Sequence, residues 1–538
     1  MCYGYAVAPI KSIPEEILIA IFQRVVSRYG RDESFRIFHR SVRSKVETDD
    51  VIVLSHVCTL WRDVVINCPL FWTRMDGNHN DKLQIFIARS QSLPISLLLS
   101  SRSNNIHTIM RSHGVRIKRL DLTLVPHTLD PSSLSLADCP MLECVTLTFD
   151  YNKRAGEAFY HGDPFLLFGE QVLHFKALAI SSLSGAFPAN YFPNLTHMCI
   201  GLDVRWAEDT INFSSTIFNL LSNTPKLQFL SITGLSGSLD AEPNTSQMPV
   251  RLDDLRSLLF IDGELSSCAI VLSALYIPHD ALIRLYDLYV VTVDVPQLPR
   301  TSVLQAINRL SIHTEGVHLE FVAEGPACAF WMDAVFTEDP FEEAWDSTPS
   351  WNNWLLELPG WLPLGQVTQL EISLDAQVDI VLNLLGLFSR LAELRICLPA
   401  DSGVSFDSYS TAACTQFYTA LAQEDPVLCP GLQVLCVEID GGQQSNPISS
   451  AHAVLLANMI KTRHRCGHPI LRVVLQPFNR ECTGGLGVAP SLVVSFEHLF
   501  NFPTLELCAP GVPRPWPHRK EIQGRWVRDE MEKYWVFQ

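Results

Sequence analysis

Fifteen cysteines run from Cys2 to Cys508, yet no two are spaced as Cys-x-x-Cys and their number is odd. That excludes the usual spacing of a structural zinc site and argues against a disulfide framework. Cys144, Cys199, Cys397 and Cys436 lie inside apolar, strand-like stretches, where a free thiol packs as a small hydrophobe. A reducing compartment, cytoplasm or nucleus, is therefore the expectation. Basic runs are missing as well. Net charge is −17 and no block of Lys and Arg is long enough to neutralise several phosphates, so nucleic acid is not an expected partner. No apolar run reaches the about 18 residues that span a bilayer, and no membrane is expected. The opening MCYGYAVAPIKSIPEE has no charged region followed by an apolar one, so no secretion signal is expected there, and the acceptor patterns at Asn194 and Asn212 read as chance.

Motifs for catalysis are also lacking. There is no GxxxxGK[ST] loop, no HExxH and no GxSxG elbow; GLSGS at 234–238 lacks its second Gly in place. CTGGLG at 482–487 has no strand–loop–helix context for phosphate. His464, Cys466 and His468 alternate in a spacing foreign to structural zinc, with no fourth ligand in view. Glu342 and Glu343, adjacent in sequence, read as hydrated surface. The chain is not expected to be an enzyme, and no metal or cofactor is expected.

What is present is apolar: 47% of residues are hydrophobic and 18% charged, the balance of a well-buried protein. At 538 residues the chain exceeds one compact core, which predicts two units or an elongated repeat array. The stretch SIPEEILIAIFQRVV predicts a helix, with Ser12 as cap, Glu15 completing a capping box and Pro14 in the first turn. Ile17, Leu18, Ile21, Phe22 and Val25 share its apolar face. Residues 27–50 read as a loop with a short helix. In VLSHVCTLWRDVVINCPLFWTRM, Leu54, Val57, Cys58, Trp61, Val64 and Val65 fall on one helical face, and Asn67 before Cys68-Pro69 predicts its end. So small a helical unit buries only part of its apolar surface alone, and a partner is expected.

Ile-Pro-x-Glu-Ile-Leu-x-x-Ile-Phe at 13–22, Leu-Ser-x-Val-Cys-x-x-Trp-Arg-Asp at 54–63 and Pro-Leu-Phe-Trp at 69–72 together resemble an F-box of the basidiomycete type, common in mushroom-forming fungi. DKLQIFIARSQSLPISLLL at 81–99 is similar to the segment that follows the box in those proteins, so the resemblance covers roughly 12–100. Ile13 departs from the usual Leu, and the 27–50 segment is longer than in compact boxes. The resemblance implies docking onto the Skp-type adaptor of a cullin-RING ubiquitin ligase. Position by position, it implies contacts from Ile13, Pro14, Glu16, Ile17, Ile21, Leu54, Val57, Cys58, Leu70 and Trp72, with Trp61 packed inside the box. An unrelated helical hairpin is the other reading of these residues.

Past residue 100 an apolar-x-x-apolar-x-apolar pattern recurs. It reads Ile117-Leu120-Leu122, Leu142-Val145-Leu147, Phe175-Leu178-Ile180, Leu195-Met198-Ile200, Leu227-Leu230-Ile232 and Leu255-Leu258-Phe260. Leu285-Leu288-Val290, Ile307-Leu310-Ile312, Val367-Leu370-Ile372, Leu391-Leu394-Ile396, Leu432-Leu435-Val437 and Ile470-Val473-Leu475 continue it. Several members open with Pro-x-Leu, at Pro140, Pro193, Pro225 and Pro430. The pattern predicts an irregular leucine-rich-repeat-like α/β solenoid; an ordinary α/β domain is the alternative. The organisation expected is a tail 1–11, F-box 12–75, connecting segment 76–100, solenoid 101–500 with an insertion 313–366, and a capping segment 501–538 that uses Trp526 and Trp535 to close the stack.

The two expectations for function are a substrate-recognition subunit of an SCF-type ligase, or a repeat-protein scaffold outside any ligase. From Leu310 to Ser389 there are 13 acids and no Lys or Arg, and the run contains Trp331, Trp345, Trp351, Trp354 and Trp361. Glu338, Asp339, Glu342, Glu343 and Trp345 are the expected target contacts, aromatic anchors in a field that would draw a basic segment; a solvated acidic loop is the plainer reading.

Overall fold

The computed structural model describes residues 13–32, 48–77, 80–100, 106–124, 139–149, 166–168, 172–182, 187–202, 213–235, 249–290, 297–315, 317–336, 351–373, 378–398, 409–440, 450–478, 505–507 and 534–535. Ser12, Trp526, the acids 338–343 and Trp345 lie outside them. The fold is mixed α/β, built on strands that pair mostly in parallel, and it divides into two compact units: Met1–Leu255 with Arg528–Gln538, and Arg256–Val527.

The first unit opens with helices α1 (Glu15–Asp32), α2 (Asp49–Val57) and α3 (Thr59–Asn67), then a 3-10 turn at Pro69–Trp72. There follow β1 (Arg74–Asp76), α4 (Asn80–Arg89), β2 (Ile95–Ser100), α5 (Ile106–His113), β3 (Ile117–Leu124), β4 (Cys144–Phe149), β5 (Ala177–Ser182), β6 (His197–Leu202), α6 (Phe213–Ser222), β7 (Phe229–Thr233) and β8 (Val250–Arg251). Strands β1 to β7 pair in parallel in chain order. The parallel ladder therefore starts at Arg74, not after residue 100 as expected; β1 and β2 come from the end of the expected box and the connecting segment. Three residues of β1 are too few to show a period, and Leu97, Leu98 and Leu99 in β2 are all buried, which hides alternation.

The recurrent turn explains the Pro-x-Leu signature. The amide of Leu142 donates to the Cys139 carbonyl at 3.1 Å, Leu195 to Phe192 at 3.4 Å, Leu227 to Thr224 at 3.2 Å and Leu432 to Cys429 at 3.0 Å. Pro140, Pro193, Pro225 and Pro430 occupy the second position of these turns, where a fixed φ suits the bend and no N–H is needed. The Leu that closes each turn is buried, and the next two apolar residues of each triplet follow on one face of the strand.

The second unit contains β9 (Ser257–Glu264), α7 (Leu265–Ser273), β10 (Leu275–Tyr276), β11 (Leu282–Val290), β12 (Arg309–Glu315), β13 (His318–Glu324), β14 (Ala329–Phe336), α8 (Asn352–Trp361) and β15 (Gln369–Ser373). After these come α9 (Val378–Leu385), β16 (Glu393–Leu398), α10 (Tyr409–Leu421), β17 (Val434–Asp440), α11 (Ser450–Arg465), β18 (Arg472–Phe478) and β19 (Leu505–Leu507). Pairing runs β9, β11, β14, β13, β12, β15, β16, β17, β18, β19, and only β13 is antiparallel to its neighbours.

Two expectations change here. Within the expected insertion 313–366, the described strands β13 and β14 enter the sheet itself, placing β14 rather than β12 next to β11. On β11, Ile283 and Leu285 pair with Leu258 and Phe260, so the expected triplet Leu285-Leu288-Val290 is out of step with its neighbour. Asp287, left-handed at φ 54°, lies where the register with β14 shifts between Leu285 and Leu288, which returns Leu288 and Val290 to the core.

Arg463 on α11 is buried. Its Nη1 donates to the carbonyls of Leu421 (3.3 Å) and Leu428 (2.8 Å), and its Nη2 to that of Cys429 (2.8 Å). The guanidinium thus ties the end of α10 to the turn that launches β17.

Candidate functional site

The three N-terminal helices separate inward from outward side chains sharply. The Pro14 carbonyl opens α1, accepting from the amides of Ile17 and Leu18, both at 3.1 Å. Leu18 and Phe22, one turn apart, are buried, whereas Ile17 and Ile21 are 51% and 45% exposed. Phe22 meets Trp61 edge-on at 4.7 Å and tilts against Phe71 at 6.2 Å. Trp61 therefore packs within the unit.

The expected single helix through Leu54 and Val65 is two helices. Cys58 is extended (φ −159°, ψ 171°), α2 ends at Val57 and α3 starts at Thr59. Arg62 holds the break: its amide donates to Cys58 O at 2.9 Å and its Nε to Ser55 O at 3.0 Å, taking up carbonyls the interrupted helix leaves open. The stop at the far end comes from Pro69, which forces the preceding Cys68 into an extended conformation; Asn67 stays in the helix.

This geometry sorts the implied contact residues. Pro14, Glu16, Ile17, Ile21, Val57 and Leu70 are exposed, and Ile13 and Cys58 are half-buried. Val57 is 54% and Leu70 53% exposed. Leu54 and Trp72 are corrections: both are buried core side chains, not surface contacts. Trp72 donates its Nε1 proton to Val65 O at 2.8 Å, packs edge-on against Phe86 of α4 at 4.8 Å, and lies under the Arg89 guanidinium at 4.3 Å. Packing against α4, a neighbour beyond the motif, draws it inward. Val53, 60% exposed on α2, is an outward aliphatic that the motif comparison did not single out. Its position one residue before the buried Leu54 repeats the Ile17–Leu18 and Ile21–Phe22 arrangement.

Of the expected target contacts, Glu338, Asp339, Glu342, Glu343 and Trp345 lie outside the described residues. Their aromatic companions do not serve as anchors. Trp331, Trp351, Trp354 and Trp361 are buried. Trp354 and Trp361 pack on Phe321 at 5.5 and 5.4 Å, and Trp351 packs on Phe336 at 4.5 Å while donating Nε1–H to Val317 O at 2.9 Å. Joining β13 and β14 to the sheet creates an apolar face that α8 covers with these rings. Among the described residues, no group of three His, Cys, Asp or Glu could hold a metal, and no helix is long and apolar enough to cross a membrane. His468 instead pairs its Nδ1 with Pro430 O at 3.1 Å.

No protein-family model matches the chain, and no curated protein matches it. Function must therefore be argued from the residues. What exposed aliphatic side chains on small helices supply is desolvation against a complementary apolar surface.

Proposed function

We propose that residues 12–75 act as an F-box that docks a Skp-type adaptor, and that the parallel-strand region, read as an irregular leucine-rich-repeat-like solenoid, receives a target protein for an SCF-type ubiquitin ligase. The observation that carries this reading is the concentration of exposed aliphatic groups, Ile17, Ile21, Val53, Val57 and Leu70, on one small helical unit. The ordered F-box-like motifs lie on the same helices. Each pair of adjacent residues sends one side chain into the core and one outward, an arrangement that satisfies folding and binding at once. In this role the ligase supplies the chemistry, and the chain supplies only recognition, in the cytoplasm or nucleus. The target is proposed to carry a basic segment drawn by the acidic run between Leu310 and Ser389.

Affinity capture with the whole chain and with residues 12–75 deleted tests this. The adaptor and a cullin should be recovered with the whole chain and lost with the deletion. Recovery of other partners without the adaptor from either chain would instead favour a repeat-protein scaffold outside any ligase.

A further inference from the structure

In the first unit, the sheet face opposite the Leu rows carries a depression made of small side chains. Register places Arg119 beside Cys144, Cys144 beside Ala177, and Ala177 beside His197; in the next row lie Asp121, Thr146, Ala179 and Cys199. Trp535, more than 300 residues along the chain from these strands, fills it. Its ring is buried against Cys144, Ala177, Ala179 and Cys199, and its Nε1 donates to Thr146 Oγ1 at 3.1 Å. Arg119 Nη1 donates to the Tyr534 carbonyl at 2.8 Å while Asp121 holds the same guanidinium through Nε and Nη2, at 2.8 and 3.1 Å. The Tyr534 ring sits edge-on to His197 at 4.9 Å, and His197 stacks on Phe229 at 4.6 Å. Trp535 thus lies on the face of β4 to β6, not at the end of the stack where a cap was expected.

We propose that this is a peptide-recognition site for an aromatic residue followed by Trp, that Tyr534-Trp535 occupies it as an internal ligand, and that a target segment of the same chemistry takes the site by displacing it. Three features read the dipeptide separately. The depression admits a flat ring because four neighbouring positions carry only methyl or thiol groups. Thr146 accepts from an indole N–H, which Phe lacks. Arg119, pre-aligned by Asp121, donates to the carbonyl between the two residues, a contact any sequence offers and so one that sets position rather than identity. Cys144 and Cys199 lie beneath the ring, and burial pushes the Cys144 thiol up to about 12 and that of Cys199 well above its ordinary value. Both are neutral and shielded while the ring is in place, and they become reporters when it leaves.

The test uses the full chain, its Trp535→Ala variant and a fluorescein-labelled peptide of residues 528–538. The site is separate from the adaptor surface, so adaptor binding by the same proteins distinguishes failure of this inference from failure of the ligase reading. The variant should bind the peptide and the parent chain should bind it at least about tenfold more weakly, because its site is filled. Alkylation of Cys144 and Cys199, followed by mass spectrometry, should be faster in the variant and slow again when peptide is added. Thr146→Val, which keeps the volume and removes the acceptor, should speed alkylation in the intact chain, and added to Trp535→Ala should weaken the peptide about tenfold, the effect of one lost hydrogen bond. A folded variant that takes no peptide overturns the proposal. So does a Trp535→Ala chain that cannot fold, since Trp535 would then be core, or unchanged alkylation in Thr146→Val.

Discussion

Replacing Trp72 by Ala separates a core role from a docking role. The indole is 1% exposed, its N–H is satisfied by Val65 O at 2.8 Å, and both Phe86 and Arg89 lie against its faces or edge. Removing a buried aromatic of this size costs about 3–5 kcal/mol from lost transfer and the cavity left behind. The carbonyl of Val65 loses its partner as well, worth about 1 kcal/mol more. Against a typical total of about 5–15 kcal/mol, that is a large share of the unit's stability. Trp72→Phe keeps most of the ring and drops only the N–H, so it should fall between, at about 1–3 kcal/mol. The assay is urea unfolding followed by far-ultraviolet circular dichroism, with the first-unit transition resolved by the mutants themselves. Trp72→Ala should shift that transition strongly and Trp72→Phe moderately. A Trp72→Ala chain within about 0.5 kcal/mol of the parent, the range of ordinary surface substitutions, would refute the placement of Trp72 in the core.

Leu54→Ala should destabilise the first unit by about 2–5 kcal/mol, measured in the same way, whereas Val53→Ala should stay near the parent. Arg463→Met should destabilise the second unit by a few kcal/mol, about 1–3 for each of the Leu421 and Leu428 carbonyls left unpaired, since Cys429 O keeps the Leu432 amide, and a scanning calorimetry trace with an unmoved second-unit transition would contradict that. Cys268, buried with its thiol pushed above the ordinary range chiefly by burial, should resist alkylation at pH 8 far longer than the half-buried Cys58 and Cys466, read by mass spectrometry on the native chain. Reversing Glu338, Asp339, Glu342 and Glu343 to Lys should reduce recovery of basic partners at low salt and change little at high salt, because screening already weakens the attraction there. Equal recovery at both salts would place target docking elsewhere.

Much of the strand framework was legible because one strand face faces the core. Ten of the twelve apolar triplets lie on strands in step with a neighbouring triplet, each announced by a buried Leu, Ile, Val or Phe at the turn; the β9 triplet follows the same strand pattern, but its neighbour on β11 does not. The exception, on β11, fails where left-handed Asp287 resets alternation, a backbone event that composition does not encode. The helices were legible from period and from Pro69, yet the break at Cys58 was not, since Leu54, Val57, Cys58 and Trp61 fit one helical face as well as two. Exposure was half legible. A helical stripe does not say which of two adjacent apolar residues turns inward, so Ile17 and Leu18 look alike until Phe22, Trp61 and Phe71 claim one side. Trp72 and the α8 tryptophans went inward because of α4 and of β13–β14, neighbours whose placement is a tertiary matter. Trp535 against Thr146 is the extreme case: 389 positions separate them, and no local pattern links the two.

The most direct test of the central claim is a calorimetric titration of purified Skp-type adaptor into the whole chain and into a variant carrying Ile17→Asp, Val57→Asp and Leu70→Asp. These side chains face outward, so the variant should unfold as the parent does. The account predicts saturable binding by the parent with a negative heat-capacity change, the mark of apolar burial, and loss of binding in the variant, since each central anchor carries about tenfold or more in affinity. A parent chain that shows no heat of binding with the adaptor at any of several temperatures, so that a zero crossing of the enthalpy cannot hide binding, or a folded variant that binds it equally well, would contradict the account.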